Sequence, residues 1–114
     1  MNLPNADRVH VAKEKITDYL LNPKHPDGAA KAAFFAALGF KLEAWEVLAG
    51  ALREVAARNP IGKKTDTLHG TKYIIDGALK TPSGKTPVVR TVWIVDQGAD
   101  TPRLVTAYPH DDGV

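Results

Sequence analysis

At 114 residues the chain is the size of one domain, expected to run over 1–114 with a helical half at 1–60 and a β half at 66–109. It is 44% hydrophobic and 25% charged, has no cysteine and contains no apolar run of about 18 residues. Disulfide frameworks, thiolate metal sites and membrane-spanning helices are therefore excluded as expectations. The net charge of +2 permits contact with phosphate but lacks the dense basic face of a dedicated duplex binder.

The first fifteen residues are polar, with a turn signal at Leu3-Pro4-Asn5 and no apolar signal core, so a cytoplasmic location is expected. Val9–Val11 is a short extended piece and a weak candidate for a fourth strand. A first helix is predicted over Ala12–Leu21, where Ile16, Tyr19 and Leu20 form one apolar stripe before Asn22-Pro23 ends it. A second helix starts near Asp27, a good N-cap, and runs through an alanine-rich stretch to Leu38, with Gly39 as its stop. The third is the clearest: Leu42, Trp45, Leu48, Leu52 and Val55 recur at helical spacing until Asn59-Pro60. Lys63 and Lys64 then sit in what reads as a flexible, solvated connection.

Three strands follow, over Thr71–Lys80, Pro87–Val95 and Arg103–Tyr108. A two-residue Ser83-Gly84 loop would set Gly77 opposite Arg90 and Ile75 opposite Val92. Trp93, Ile74 and Val105 would then share the face away from the helices, as an exposed apolar strip for a partner or a stacked base. A one-residue slip would reverse that assignment. The predicted fold class is α+β, with about three N-terminal helices packed on an antiparallel meander of three to four strands.

Two stretches carry a resemblance. One is YLLNPKHP at 19–26 with Gly28, Lys31, Phe34-Phe35 and Leu38-Gly39-Phe40; the other is GTKY at 70–73, TVWIV at 91–95 and PRLVTAYP at 102–109. Together they resemble a family of small uncharacterised bacterial domains that occur alone or at the C-termini of polymorphic-toxin-like proteins. A looser resemblance, at the level of fold, is to the barnase/EndoU/RelE-like group of metal-independent RNase toxins, through helices preceding an antiparallel sheet and a closing Thr106-Ala107-Tyr108-Pro109 stretch. These resemblances imply RNA as substrate, an immunity protein as partner and delivery into another cell, with no cofactor.

Metal-independent RNA cleavage needs a base for the 2′-OH proton, an acid for the leaving oxygen and cations for the phosphorane charge. Strand counting separates the candidates. His69 lies about 26 Å along the strand from the position facing Arg90, so it cannot share one compact site with Arg90 and Tyr108. One cluster would hold His69, Lys72 and Arg103. The other, preferred as catalytic, would hold Arg90 on phosphate with Thr106 and Tyr108 positioning it, completed by His25 or His10. Lys31 and Lys24 near a helix start would attract an anion, and Lys31, His69, Lys72 and Trp93 are the substrate-binding candidates. His110-Asp111-Asp112, three neighbours in a tail, make a poor metal site, and no metal ligands are assigned. Two functions stay open: a metal-independent endoribonuclease of toxin type, or a non-catalytic interaction module using the Trp93 face or an open sheet edge.

Overall fold

The computed structural model describes residues 2–110. A 3-10 turn at Ala6–Arg8 leads to helix α1, which is α-helical over Lys13–Lys15 and continues as a π-helical segment over Ile16–Leu20. Helix α2 covers Ala29–Ala37, and a second 3-10 turn at Leu42–Ala44 precedes α3, Trp45–Arg58. Strands β1 (Lys63–Thr67), β2 (Gly70–Ala78), β3 (Val88–Asp96) and β4 (Arg103–Pro109) form one antiparallel sheet in the order β1-β2-β3-β4. The α+β class and the order of helices before sheet are as expected. Among the described residues no helix is long and apolar enough to cross a membrane.

The fourth strand is not Val9–Val11. That piece makes one parallel bridge, His10 to Arg103, with His10 N–H donating to Pro102 O at 2.8 Å and the His10 carbonyl oxygen accepting from Leu104 N–H at 2.9 Å. The fourth strand is instead the stretch read as a flexible connection. All five residues of β1 are exposed, so no alternation of apolar residues announces it. It exists because its backbone pairs with β2, from Lys63 opposite Ile74 to Thr67 opposite Gly70.

The register between β2 and β3 is one residue away from the expected one. Asp76, not Gly77, faces Arg90, and Ile75 faces Thr91. The connection is longer than two residues: Leu79 N–H still bonds Pro87 O at 2.9 Å, and the tight turn lies at Thr81–Gly84, where Gly84 N–H reaches Thr81 O at 3.1 Å. Ser83 N–H also bonds Leu38 O at 3.1 Å, which ties the loop to the end of α2. Because side chains alternate along a strand, this slip turns over every residue of β3.

Trp93 is therefore not an exposed platform. It is fully buried under the helices with Val89, Ile75 and Leu104, and the predicted strip with Ile74 and Val105 does not form. Its indole N–H donates to Thr91 Oγ1 at 2.8 Å, and the Thr91 hydroxyl donates to Ile75 O at 2.8 Å. That chain satisfies two polar groups that burial would otherwise leave unpaired, at a cost of about 1–3 kcal/mol each. Leu42, expected in the core, is half exposed, while Leu48, Leu52 and Val55 of α3 are buried against the sheet.

Between β3 and β4 the register shifts at Val92/Trp93: Trp93 faces Leu104 but Val92 faces Thr106. The extra residue on β4 is Val105. Such a bulge re-aims the side chains after it. Here it leaves Leu104 and Ala107 buried in the core and sets Thr106 and Tyr108 half-buried on the opposite side.

Candidate functional site

Three elements meet beside β4, which forms the sheet edge with α1 and α2 packed next to it. Tyr19 comes from the π segment of α1. Periodicity placed it on the same apolar stripe as Ile16 and Leu20, which are both fully buried. The wider π turn, seen in the bond from Leu21 N–H to Ile16 O at 2.8 Å, carries the Tyr19 side chain out of that stripe. Its hydroxyl lies 3.0 Å from Thr106 Oγ1. It also accepts a hydrogen bond from Lys31 Nζ, whose ammonium stands 4.9 Å from the centre of the tyrosine ring. The ammonium of Lys15 stands 5.4 Å from the same ring.

The electrostatics follow from this placement. Burial pushes the Tyr19 phenol up, but hydrogen bonds from Lys31 and Thr106, with the charges of Lys31 and Lys15, outweigh it and leave the group below the ordinary tyrosine value. His25 completes this end. Its ring meets Tyr19 edge to face at 5.0 Å between centroids, and its Nδ1 accepts the Asp27 N–H at 3.0 Å, so that among the described residues Nε2 is the ring nitrogen without a hydrogen bond. The second helix begins at Ala29 rather than Asp27, with Gly28 as the residue before it. Gly28 is there for contact: a Cβ would sit 2.6 Å from the Tyr19 carbonyl oxygen.

On the face of the sheet away from the helices, Arg90 and Asp76 form a bidentate pair at 2.9 and 3.0 Å. The Arg90 hydrogen bonds hold the Asp76 carboxyl below its usual range, and Asp76 in turn, with a smaller contribution from Tyr108, raises the guanidinium pKa. His110 Nε2 stands 3.5 Å from both partners. Tyr108 faces Arg90 across the β3–β4 ladder, two residues along from Thr106. The Lys31 ammonium lies 6.0 Å from the Tyr108 ring centre, so Lys31 bridges the two groups.

Thus Tyr108, Thr106, His25 and Lys31 gather at one place, with Arg90 at its rim. Arg90 is occupied by Asp76, and Lys31 is the cation that touches the Tyr19–Thr106 pair. Tyr19 and Asp76 were not among the candidates: Tyr19 reads as core from its spacing, and Asp76 pairs with Arg90 only in the observed register. His69 sits exposed in the turn between β1 and β2, and Lys72 is exposed four residues before Asp76 on β2, about 13 Å away along the strand. Neither joins the cluster. His10 pairs its backbone near Arg103, at the other end of β4. Arg103 itself pairs with Asp96 at 2.7 and 3.0 Å. Of the tail triplet, Asp111 and Asp112 lie outside the described residues.

The model for the family described as "Domain of unknown function (DUF6883)" matches residues 2–111. The chain belongs to the DUF6883 family. This DUF6883 chain also resembles, with a TM-score of 0.71, a solved chain of a contact-dependent growth inhibition toxin–immunity protein complex from Klebsiella pneumoniae 342. The two share 24% identity, and the match covers 93% of this chain and 97% of that one. At that identity the likeness is one of fold. No curated protein matches the chain in sequence.

Proposed function

We propose that this DUF6883 domain is a toxin-type endoribonuclease that cleaves RNA by internal transfer, without a metal ion. The observation that carries the reading is the Lys31–Tyr19–Thr106 chain: a lysine ammonium and a threonine hydroxyl both on one phenol whose pKa they lower. Tyr19 takes the 2′-OH proton as the 2′ oxygen attacks phosphorus. The P–O5′ bond breaks, and His25, as the imidazolium formed when Nδ1 takes up a proton and releases the Asp27 N–H, delivers its Nε2 proton to the departing 5′ oxygen. The products are a 2′,3′-cyclic phosphate and a 5′-OH end. Lys31, rather than the Asp76-bound Arg90, offsets the charge on the phosphorane oxygens; Thr106 holds the phenol in place, and Arg90, fixed by Asp76, orients Tyr108. The fold shared with a chain from a toxin–immunity complex supports a toxin setting, with an immunity protein as partner and delivery into another cell.

The test is incubation of the purified, folded protein with total cellular RNA in EDTA. Cleavage with 2′,3′-cyclic phosphate ends, lost in Lys31→Ala and Tyr19→Phe, is the expected result; intact RNA would sink the reading.

A second reading is favoured by β1. Its five residues are all exposed at the sheet edge, and Leu68 at the hairpin tip is 90% exposed. Such an edge offers unpaired backbone groups to an incoming strand. In this reading the domain is an interaction module that binds a protein partner through β1, and a proline at Thr65 abolishes complex formation while the RNA assay stays blank.

A further inference from the structure

Two cavities flank the Lys31–Tyr19 bond, and they differ in chemistry. One, of about 410 Å³, is lined by Lys15, Tyr19, His25, Asp27, Val105 and Thr106. The other, of about 440 Å³, is lined by Ala30, Lys31, Tyr108 and Pro109. Tyr19 borders the first and Lys31 the second, so the bonded pair forms the divide between them. Apart from the ammonium and the phenol hydroxyl, the second is walled by carbon: an alanine methyl, a proline ring, a lysine stem and an aromatic ring. The ammonium stands over the Tyr108 ring, 6.0 Å from its centre and at the outer limit of a cation–π contact, and the ring lines the cavity beside it.

We infer that the Tyr108–Pro109 cavity is a nucleobase subsite and the His25–Asp27 cavity holds the neighbouring nucleoside, so the substrate is an unpaired RNA segment that straddles the Lys31–Tyr19 pair. This rests on the RNA-cleaving reading above. A base presents a flat π-face that stacks on tyrosine whatever its identity, while its sugar and phosphate require polar partners. The carbon-walled cavity supplies the first need. The other cavity, with a carboxylate, an imidazole, hydroxyls and a lysine, supplies donors and acceptors for ribose and base edges. A phosphodiester between the two nucleosides lies against Lys31 and Tyr19. A-form duplex RNA cannot enter this way, because its bases are stacked on one another and its deep groove excludes side chains.

The experiment uses the full chain, a single-stranded oligoribonucleotide, its perfect duplex, and adenosine monophosphate as a non-cleavable probe. Single-stranded RNA should be cleaved at least tenfold better than duplex in kcat/KM. Tyr108→Leu should lose roughly 5- to 150-fold, mostly in KM, and Tyr108→Phe, which keeps the ring, should recover most of that loss. Equal cleavage of both RNA forms, or a folded Tyr108→Leu protein with the wild-type KM, overturns the subsite while leaving RNA cleavage standing. Should no RNA be cut, the probe decides alone. Saturable shifts of the Tyr108 ring resonances by adenosine monophosphate support the subsite although the cleavage reading has failed; no shift overturns it.

Discussion

Lys31 of α2 donates a hydrogen bond to the hydroxyl of Tyr19 on α1, so a cation and a phenol from two different helices act as one unit beside β4. The ammonium favours the phenolate form, and its loss must raise the Tyr19 pKa. In an RNA-cleaving enzyme that uses Tyr19 as base, Lys31→Ala therefore moves the rising limb of the kcat/KM profile to higher pH. At neutral pH the same variant loses roughly 10²–10³-fold in kcat, from the smaller phenolate fraction of Tyr19 and the missing charge together. A pH–rate profile of wild type against Lys31→Ala reads both effects, and an unshifted limb would show that Tyr19 is not the titrating group.

Gly28 leaves no room for a side chain against the backbone of the same unit. A methyl group there would press on the Tyr19 carbonyl, 2.6 Å from the ideal Cβ, and neither backbone has a side-chain torsion to give way. Gly28→Ala should cost about 1–3 kcal/mol of stability through this overpacking. It should also displace the Tyr19 hydroxyl from Thr106. Denaturant unfolding gives the first quantity, and the loss of the Tyr19 hydroxyl proton signal in NMR the second.

The Asp76–Arg90 pair sets a pH signature. Its side chains are 29% and 31% exposed, so its contribution is that of a partly screened pair, about 0.5–1 kcal/mol. The folded Asp76 carboxyl lies below its ordinary value, so the unfolded chain binds its proton first as the pH falls. The stabilisation is complete above the ordinary carboxylate range, about pH 4, and is lost as the pH drops through the folded value. The stability gap between wild type and Asp76→Asn should accordingly be open at pH 5 and close as the pH falls through the folded value. A gap that widened below pH 4 would contradict the pairing.

Thr91 relays hydrogen bonds from the Trp93 indole to the Ile75 carbonyl, inside the core. Thr91→Val keeps the shape and removes the hydroxyl. The indole N–H is then buried without a partner, which should lower stability by about 1–3 kcal/mol. Chemical denaturation measures this, and a near-neutral effect would indicate that the indole finds another acceptor.

His69 and Lys72 stand at the opposite end of β2 from the cluster. Substituting either with alanine should leave RNA cleavage within about twofold of wild type at physiological salt, where charges separated by more than about 8 Å are largely screened. A tenfold loss in either variant would move the substrate path toward the β1–β2 hairpin.

Much of this architecture is readable in the residues themselves. The helical spacing of Leu48, Leu52 and Val55, the alanine run of α2 and the β-rich stretches at 71–95 and 103–108 announce helices followed by a meander. The grouping of Arg90 with Thr106 and Tyr108 also follows from counting along strands, because near Tyr108 the β3–β4 ladder runs in the expected register. Tertiary structure decided the rest. β3 is apolar on both faces, so burial of either face looks equally good, and only the length of the connection from Leu79 to Pro87 selects the one that buries Trp93. β1 carries no apolar residue to mark a face and is defined by its partner's backbone alone. Tyr19 reads as core until a π turn, a feature of backbone hydrogen bonding rather than of composition, swings it to Thr106 and Lys31. Local pattern specifies which segments are helix or strand; which side chains meet across segments depends on loop length, bulge and turn geometry, and those are settled only when the chain packs.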